Sequence, residues 1–186
     1  MVTDKNTLNE HQMQLLGAMS HSHVRNYVWP GLTSSLVGGD GHGSIRLFQN
    51  TREQHAEITP HSHRFDFMCQ VLRGCVTQTI WHEVKAGVDD GEPYALTSLI
   101  YQGKPGAHQR STARIISNWK YSSCIYTTHQ WYSMTSQQIH TIKFSHDAIV
   151  LFFEGPTVAG RSAILEPWID GEVIPTYKVE PWMFLK

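Results

Sequence analysis

Three cysteines in 186 residues are too few, and odd in number, for a disulfide framework. Cys69, Cys75 and Cys124 therefore point to a reducing, cytoplasm-like compartment. No apolar run reaches the ~20 residues of a membrane span or forms a signal-type stretch with a cleavage site. Neither a membrane anchor nor a secreted precursor is expected. Charge is also scarce, with 15 Lys+Arg against 16 Asp+Glu for a net charge of −1. That balance removes the basic footprint of nucleic-acid binding and any acidic tail. No G-x-S-x-G nucleophile signature occurs, so serine hydrolysis has no support. Repeats, low-complexity tracts and linkers are missing too, and the length suits one domain over 1–186. What the chain has in excess is histidine, with twelve.

Apolar positions at Leu8, Leu15, Leu16 and Met19 line one face of a helix over Thr7–Ser20. A looped passage containing Trp29-Pro30-Gly31 and the run Gly38–Gly43 completes an N-terminal part over 1–43. Strand patterns then fill 44–180, at Ser44–Asn50, Gln54–Thr59, Arg64–Leu72, Val76–Glu83, Pro93–Gln102, Ala113–Trp119, Ser123–Thr128, Trp131–Ser133, Gln138–Phe144, Ala148–Glu154, Arg161–Glu166 and Glu172–Val179. Turn residues such as Gly74, Gly155-Pro156 and Asp170-Gly171 separate them. Many short strands at this spacing predict an all-β antiparallel barrel or sandwich of jelly-roll type with a short N-terminal helix.

His61 and His63 stand one residue apart. In an extended strand such a pair aims two imidazoles at one point, where a divalent metal can sit. Phe65, Phe67, Cys69 and Val71 share their face, while Arg64, Asp66, Met68 and Gln70 take the other. The pair therefore looks inward, where an unpartnered ring nitrogen costs roughly 1–3 kcal/mol. His140 shares its strand face with Gln138, Ile142 and Phe144, which makes it a third inward candidate. Three neutral imidazoles from two strands form a facial set with open metal positions.

These residues resemble the cupin superfamily. HSHRFDFMCQVLRG together with IHTIKFSHDAIVLFFEGP is similar to small bacterial and phage cupins. His61, His63, Asp66, Phe67, Val71, Leu72 and Gly74 fall on the first motif, and His140, Ile142, Gly155 and Pro156 on the second. Many metal-binding cupins place a glutamate four or five residues after the second histidine; Phe67 and Met68 stand there instead. That departure implies a three-histidine set, as in the thiol dioxygenases. Cys69 lies near the position of a cysteine that some of those enzymes cross-link to a tyrosine, for which Phe153 and Glu154 occupy the matching stretch. Arg46 is the nearest match to their substrate-binding arginine.

The resemblance implies a non-haem Fe(II) dioxygenase acting on a small molecule. His61, His63 and His140 would hold the metal, Arg46 would orient the substrate, and Glu154 or Tyr126 would handle a proton. Two other readings stay open. One is an isomerase or hydrolase using Zn, Mn or Ni; the other is a metal-free barrel that sequesters an anionic or nucleotide-like ligand. A homodimer is compatible with each. Several residues have blander expectations: Asp66 as a structural partner, Cys69 as a small buried hydrophobe, His21 and His23 off any strand, and Gly38–Gly43 as a loop. The aromatics Trp119, Tyr121, Tyr126, Trp131 and Tyr132 suit core packing or a pocket wall.

Overall fold

Alternation of apolar and polar residues dominates the chain, and in the structure it becomes two antiparallel sheets packed face to face. The structure, a computed structural model, describes residues 22–25, 27–40, 42–54, 58–85, 91–102 and 108–174. The first sheet contains β1 (Ser22–Arg25), β2 (Leu32–Gly39), β3 (Ser44–Asn50), β4 (Phe65–Arg73), β8 (Trp131–Met134) and β10 (Ile149–Thr157), in the order β1-β2-β3-β10-β4-β8. The second contains β5 (Cys75–Glu83), β6 (Glu92–Tyr101), β7 (His108–Thr127), β9 (Ile139–Phe144), β11 (Arg161–Ile169) and β12 (Glu172–Val173), in the order β12-β11-β6-β7-β5-β9. Consecutive strands repeatedly cross from one sheet to the other, as in a jelly roll. No described helix is long and apolar enough to cross a membrane.

β4 shows why this sequence forms a half-buried strand. Phe67, Cys69 and Val71 are buried, while Asp66 and Met68 face solvent. Their inward face joins Phe48, Val150, Phe152 and Phe144 in the main core. A second apolar cluster, Trp81, Tyr94, Trp119, Ile139 and Leu165, fills the space on the other face of β5 and β9. The turn between β4 and β5 depends on Gly74, whose φ is +72°. A Cβ there would stand 2.7 Å from Ser145 Oγ and 3.1 Å from Ala148 Cα. Ser145 Oγ in turn accepts a hydrogen bond from the Cys75 N–H. Gly74→Ala is therefore expected to lower stability by more than about 1 kcal/mol, read as a lower urea midpoint.

The structure departs from the sequence expectation in five places. The passage before residue 44 carries β1 and β2, not a loop, and β2 pairs along the length of β3. Gly38–Gly43 covers the end of β2 and the turn into β3, where Asp40 Oδ1 accepts from the His42 and Gly43 N–H groups. Ala113–Trp119 and Ser123–Thr128 belong to one strand, β7, because no turn residue interrupts Lys120–Ser122; the strand changes partner at Trp119, which lies opposite both Glu83 and Glu92. Gln54 and the stretch around Ile58–Thr59 form no strand. Gly155-Pro156 lies at a register shift inside β10 instead of in a turn. The helix expected over Thr7–Ser20 lies outside the described residues.

Candidate metal centre

The residues before β4 do not extend that strand; they cross to the second sheet. His61 pairs through its backbone with His140 of β9, N–H to carbonyl in both directions at 2.9 Å. On its other side the segment meets β11, with Leu165 N donating to Pro60 O and Ser62 N to Ala163 O. Residue 61 thus links β9, at one end of the second sheet, to β11, next to the other end. Gln54 reinforces this edge with its side chain: Nε2 donates to Ile142 O, and Oε1 accepts from Phe144 N. That side-chain pairing is why the expected strand at 54 is replaced by irregular chain. The sequence reading treated His61 and His63 as one extended strand with β4, whereas the strand itself starts at Phe65.

The three rings nevertheless converge. Centroids of His61, His63 and His140 are 4.9, 5.0 and 5.1 Å apart, close to an equilateral triangle. Their nearest ring nitrogens all lie within 4.8 Å of one another, and among the described residues they form the one such group of potential metal donors. His61 and His140 are buried, and His63 is half-buried.

Tautomers follow from the partners. His61 Nδ1 stands 2.9 Å from the Thr59 carbonyl. A carbonyl only accepts, so Nδ1 carries the proton and Nε2 keeps its lone pair for a metal. His63 Nε2 and His140 Nε2 face each other at 2.9 Å. Without a metal one must donate to the other. Two nitrogen ligands ~2.1 Å from one ion at right angles stand ~3.0 Å apart, so this separation fits adjacent positions of an octahedral set. Burial holds the pKa of His61 below the usual imidazole range, partly offset by the Thr59 carbonyl. Burial depresses His63 and His140 further, and neighbouring imidazoles add to it. All three are therefore neutral at pH 7, the form that binds metal. By donor type, tautomer and spacing, the set suits a divalent metal.

The fold is a jelly roll of two six-stranded antiparallel sheets. No family model matches the sequence, and no curated protein does. Among solved structures, the chain is similar to hydroquinone 1,2-dioxygenase PnpCD in complex with Cd2+ and 4-hydroxybenzonitrile, at 9% identity and TM-score 0.38, covering 64% of this chain and 61% of that one. It is also similar to Streptomyces albus HEPD with 2-hydroxyethylphosphonate and Fe(II) bound, at 9% identity and TM-score 0.43, covering 73% of this chain and 24% of that one. A cupin superfamily protein from Desulfitobacterium hafniense matches at 10% identity and TM-score 0.37, over 82% of this chain and 95% of that one. The chain thus spans less than two thirds of the length of the first two, and such distant likenesses say nothing about its chemistry.

Around the histidines the barrel encloses a cavity of about 120 Å³. Arg46 and Glu154 line it, both 9% exposed. β3 is regular, so Arg46 and Phe48 share its inward face, and Arg46 lies across from Phe152. Arg46 Nη1 donates to Ser34 Oγ at 3.4 Å, and Glu154 Oε2 accepts from Ser44 Oγ at 2.7 Å. Tyr126 is not in the cavity wall; its place on β7 packs its ring 4.8 Å from that of Tyr132. Tyr132 lines the cavity instead.

Tyr132, read from the sequence among the aromatics of the core or a pocket wall, has a pairing that the sequence did not reveal. It lies directly across from Cys69 in the β4–β8 register. Burial pushes the Cys69 thiol up to about 12, lowered slightly by Tyr132, and raises the Tyr132 phenol well above its usual range. Cys69 is therefore a neutral thiol at pH 7. The tyrosine facing Cys69 is thus on edge strand β8 and not in the stretch of Phe153 and Glu154.

Other candidates are placed elsewhere. Asp66 is exposed and accepts a hydrogen bond from the Ser136 N–H at 2.7 Å. His23 lies on β1 with Nδ1 2.7 Å from Ser35 Oγ, and His21 is outside the described residues. Two further arginines lie away from the cavity wall: Arg110 pairs with the buried Glu166, and Arg114 is exposed on β7. Arg64 lines the cavity with its guanidinium 4.0 Å over the Tyr101 ring, despite its expected outward parity. It precedes β4 at a bend, so strand alternation does not govern it.

Proposed function

We propose that the protein is a metal-dependent cupin that oxidises a small molecule with O₂ at His61, His63 and His140, in the manner of the three-histidine thiol dioxygenases. The observation that carries this reading is the 2.9 Å approach of His63 Nε2 to His140 Nε2, with His61 Nε2 left free by its Thr59 contact. Fe(II) held by these nitrogens would supply the one-electron chemistry that lets O₂ react with a closed-shell substrate.

The remaining work belongs to side chains of the chain itself. Arg46 orients an anionic part of the substrate, held in place by its strand and by Ser34. Glu154, fixed by Ser44, is the group that takes or returns a proton. Tyr132 replaces Tyr126 as the phenol at the cavity. The Cys69–Tyr132 pairing supports the thiol-dioxygenase form of the reading, since that family joins a cysteine and a tyrosine near its metal. Aromatic walls exclude bulk water from the reacting groups.

The test is oxygen uptake. Protein loaded anaerobically with Fe(II) is expected to consume O₂ when offered small thiols, and the His63→Ala variant is expected not to. Turnover supported by Zn or Mn with no O₂ consumed would place the protein with the isomerase or hydrolase cupins and overturn the reading.

A further inference from the structure

The histidines open onto a cavity whose wall is mostly rings. From His63 an unbroken series runs through Phe67 at 5.0 Å, Phe152 at a further 5.0 Å, Phe48 at 5.5 Å and Phe144 at 6.3 Å. Successive rings are tilted or edge-on, so the wall presents both faces and edges to whatever enters. Such contacts favour a planar ring beyond the area it buries. The volume of about 120 Å³ is close to that of an apolar protein cavity of ~150 Å³ that binds benzene.

Some polar groups of the wall are already engaged. Glu154 accepts from Ser44, and Arg46 donates to Ser34. Three polar atoms of the lining residues are left over, Tyr132 Oη, His140 Nδ1 and Ser162 Oγ. Ser162 Oγ, in a residue 3% exposed, lines the cavity and has no hydrogen-bond partner among the described residues. Buried polar atoms in that state are positions that a water or a heteroatom of a bound molecule can fill.

We propose that the substrate has an aromatic ring as its body, seated along the Phe67–Phe152–Phe144 wall, with a donor group directed to the three histidines. The donor's role rests on the metal-dependent reading above; the ring preference belongs to the wall. Short zwitterionic thiols lack the ring that this wall favours, although the thiol-dioxygenase resemblance alone would favour them.

Three thiols with one donor group separate the possibilities: 2-phenylethanethiol, butanethiol and cysteamine. Titrated calorimetrically into anaerobic metal-loaded protein, 2-phenylethanethiol is expected to bind at least about tenfold more tightly than either of the others. Phe152→Leu keeps the wall apolar but removes one ring, and is expected to weaken 2-phenylethanethiol severalfold while leaving cysteamine unchanged. Phe144→Leu serves the same purpose should the first variant fold poorly. Equal affinity for butanethiol, or tighter binding of cysteamine, overturns the proposal. The same titrations on metal-free protein read the wall by itself. A protein that takes up no metal yet still prefers the ring refutes the metal-dependent reading and leaves this one standing.

Discussion

Replacing His63 with alanine is expected to lower metal affinity by more than the ~10–100-fold that loss of an outer-shell partner costs, because a direct ligand goes. His140→Ala should do the same, since the two Nε2 atoms stand 2.9 Å apart and neither alone defines a site. His61→Ala removes a nitrogen whose tautomer is fixed by the Thr59 carbonyl. Each variant leaves at most two neutral imidazoles, and two exchange with water and buffer far more readily than three. His23→Ala is the control, since that ring is engaged with Ser35 on β1. Elemental analysis of protein purified without a metal-binding tag, followed by titration of Fe(II) under anaerobic conditions, measures the effect. Circular dichroism of each variant separates loss of ligand from loss of fold. Unchanged uptake in all three variants would put the metal elsewhere or remove it from the function.

The reasons for this expectation were partly legible in the sequence. Alternation in FDFMCQV gives the inward face of β4 correctly, since parity is a local property of an extended chain. The same parity places His140 on the inward face of β9, with Ile142 and Phe144. The position of His61 is another matter. It is held by backbone bonds to β9 and β11, segments remote in sequence, and no local pattern encodes such contacts. The Cys69–Tyr132 pairing was hidden for a related reason: it depends on the register between β4 and β8, which only the folded sheet sets. β2 was hidden by its composition. Leu32–Gly39 mixes serine, threonine and glycine, weak strand signals that become a strand through pairing with β3. Gln54 shows the reverse case, in which a strand-like pattern is used for side-chain bonds to a strand edge.

Acid is expected to unfold the metal-free protein early, and the same three histidines are the cause. In the unfolded chain each titrates near 6.5. In the fold, burial and the neighbouring rings depress His63 and His140 well below that value, and burial depresses His61. Above about pH 7 both states carry neutral rings, so these residues give stability no slope there. As pH falls through 6.5 the unfolded chain takes up protons that the folded barrel does not, and stability declines until the folded pKa values are reached. At pH 5.5 the unfolded chain has taken up most of these protons while the buried cluster resists them, so the fold is less stable there than at pH 7.5. Urea unfolding in the presence of a chelator, at pH 7.5 and at pH 5.5, reads the loss. His140→Gln should flatten the profile, because glutamine brings no proton to the unfolded state. The variant also isolates the histidines from carboxylates and other groups, which contribute equally to both proteins. A profile as steep in His140→Gln as in the parent would show that the acid sensitivity arises outside the cluster. A flat parent profile would show that the rings accept protons in the fold, which a cluster poised to bind metal as neutral imidazoles does not do.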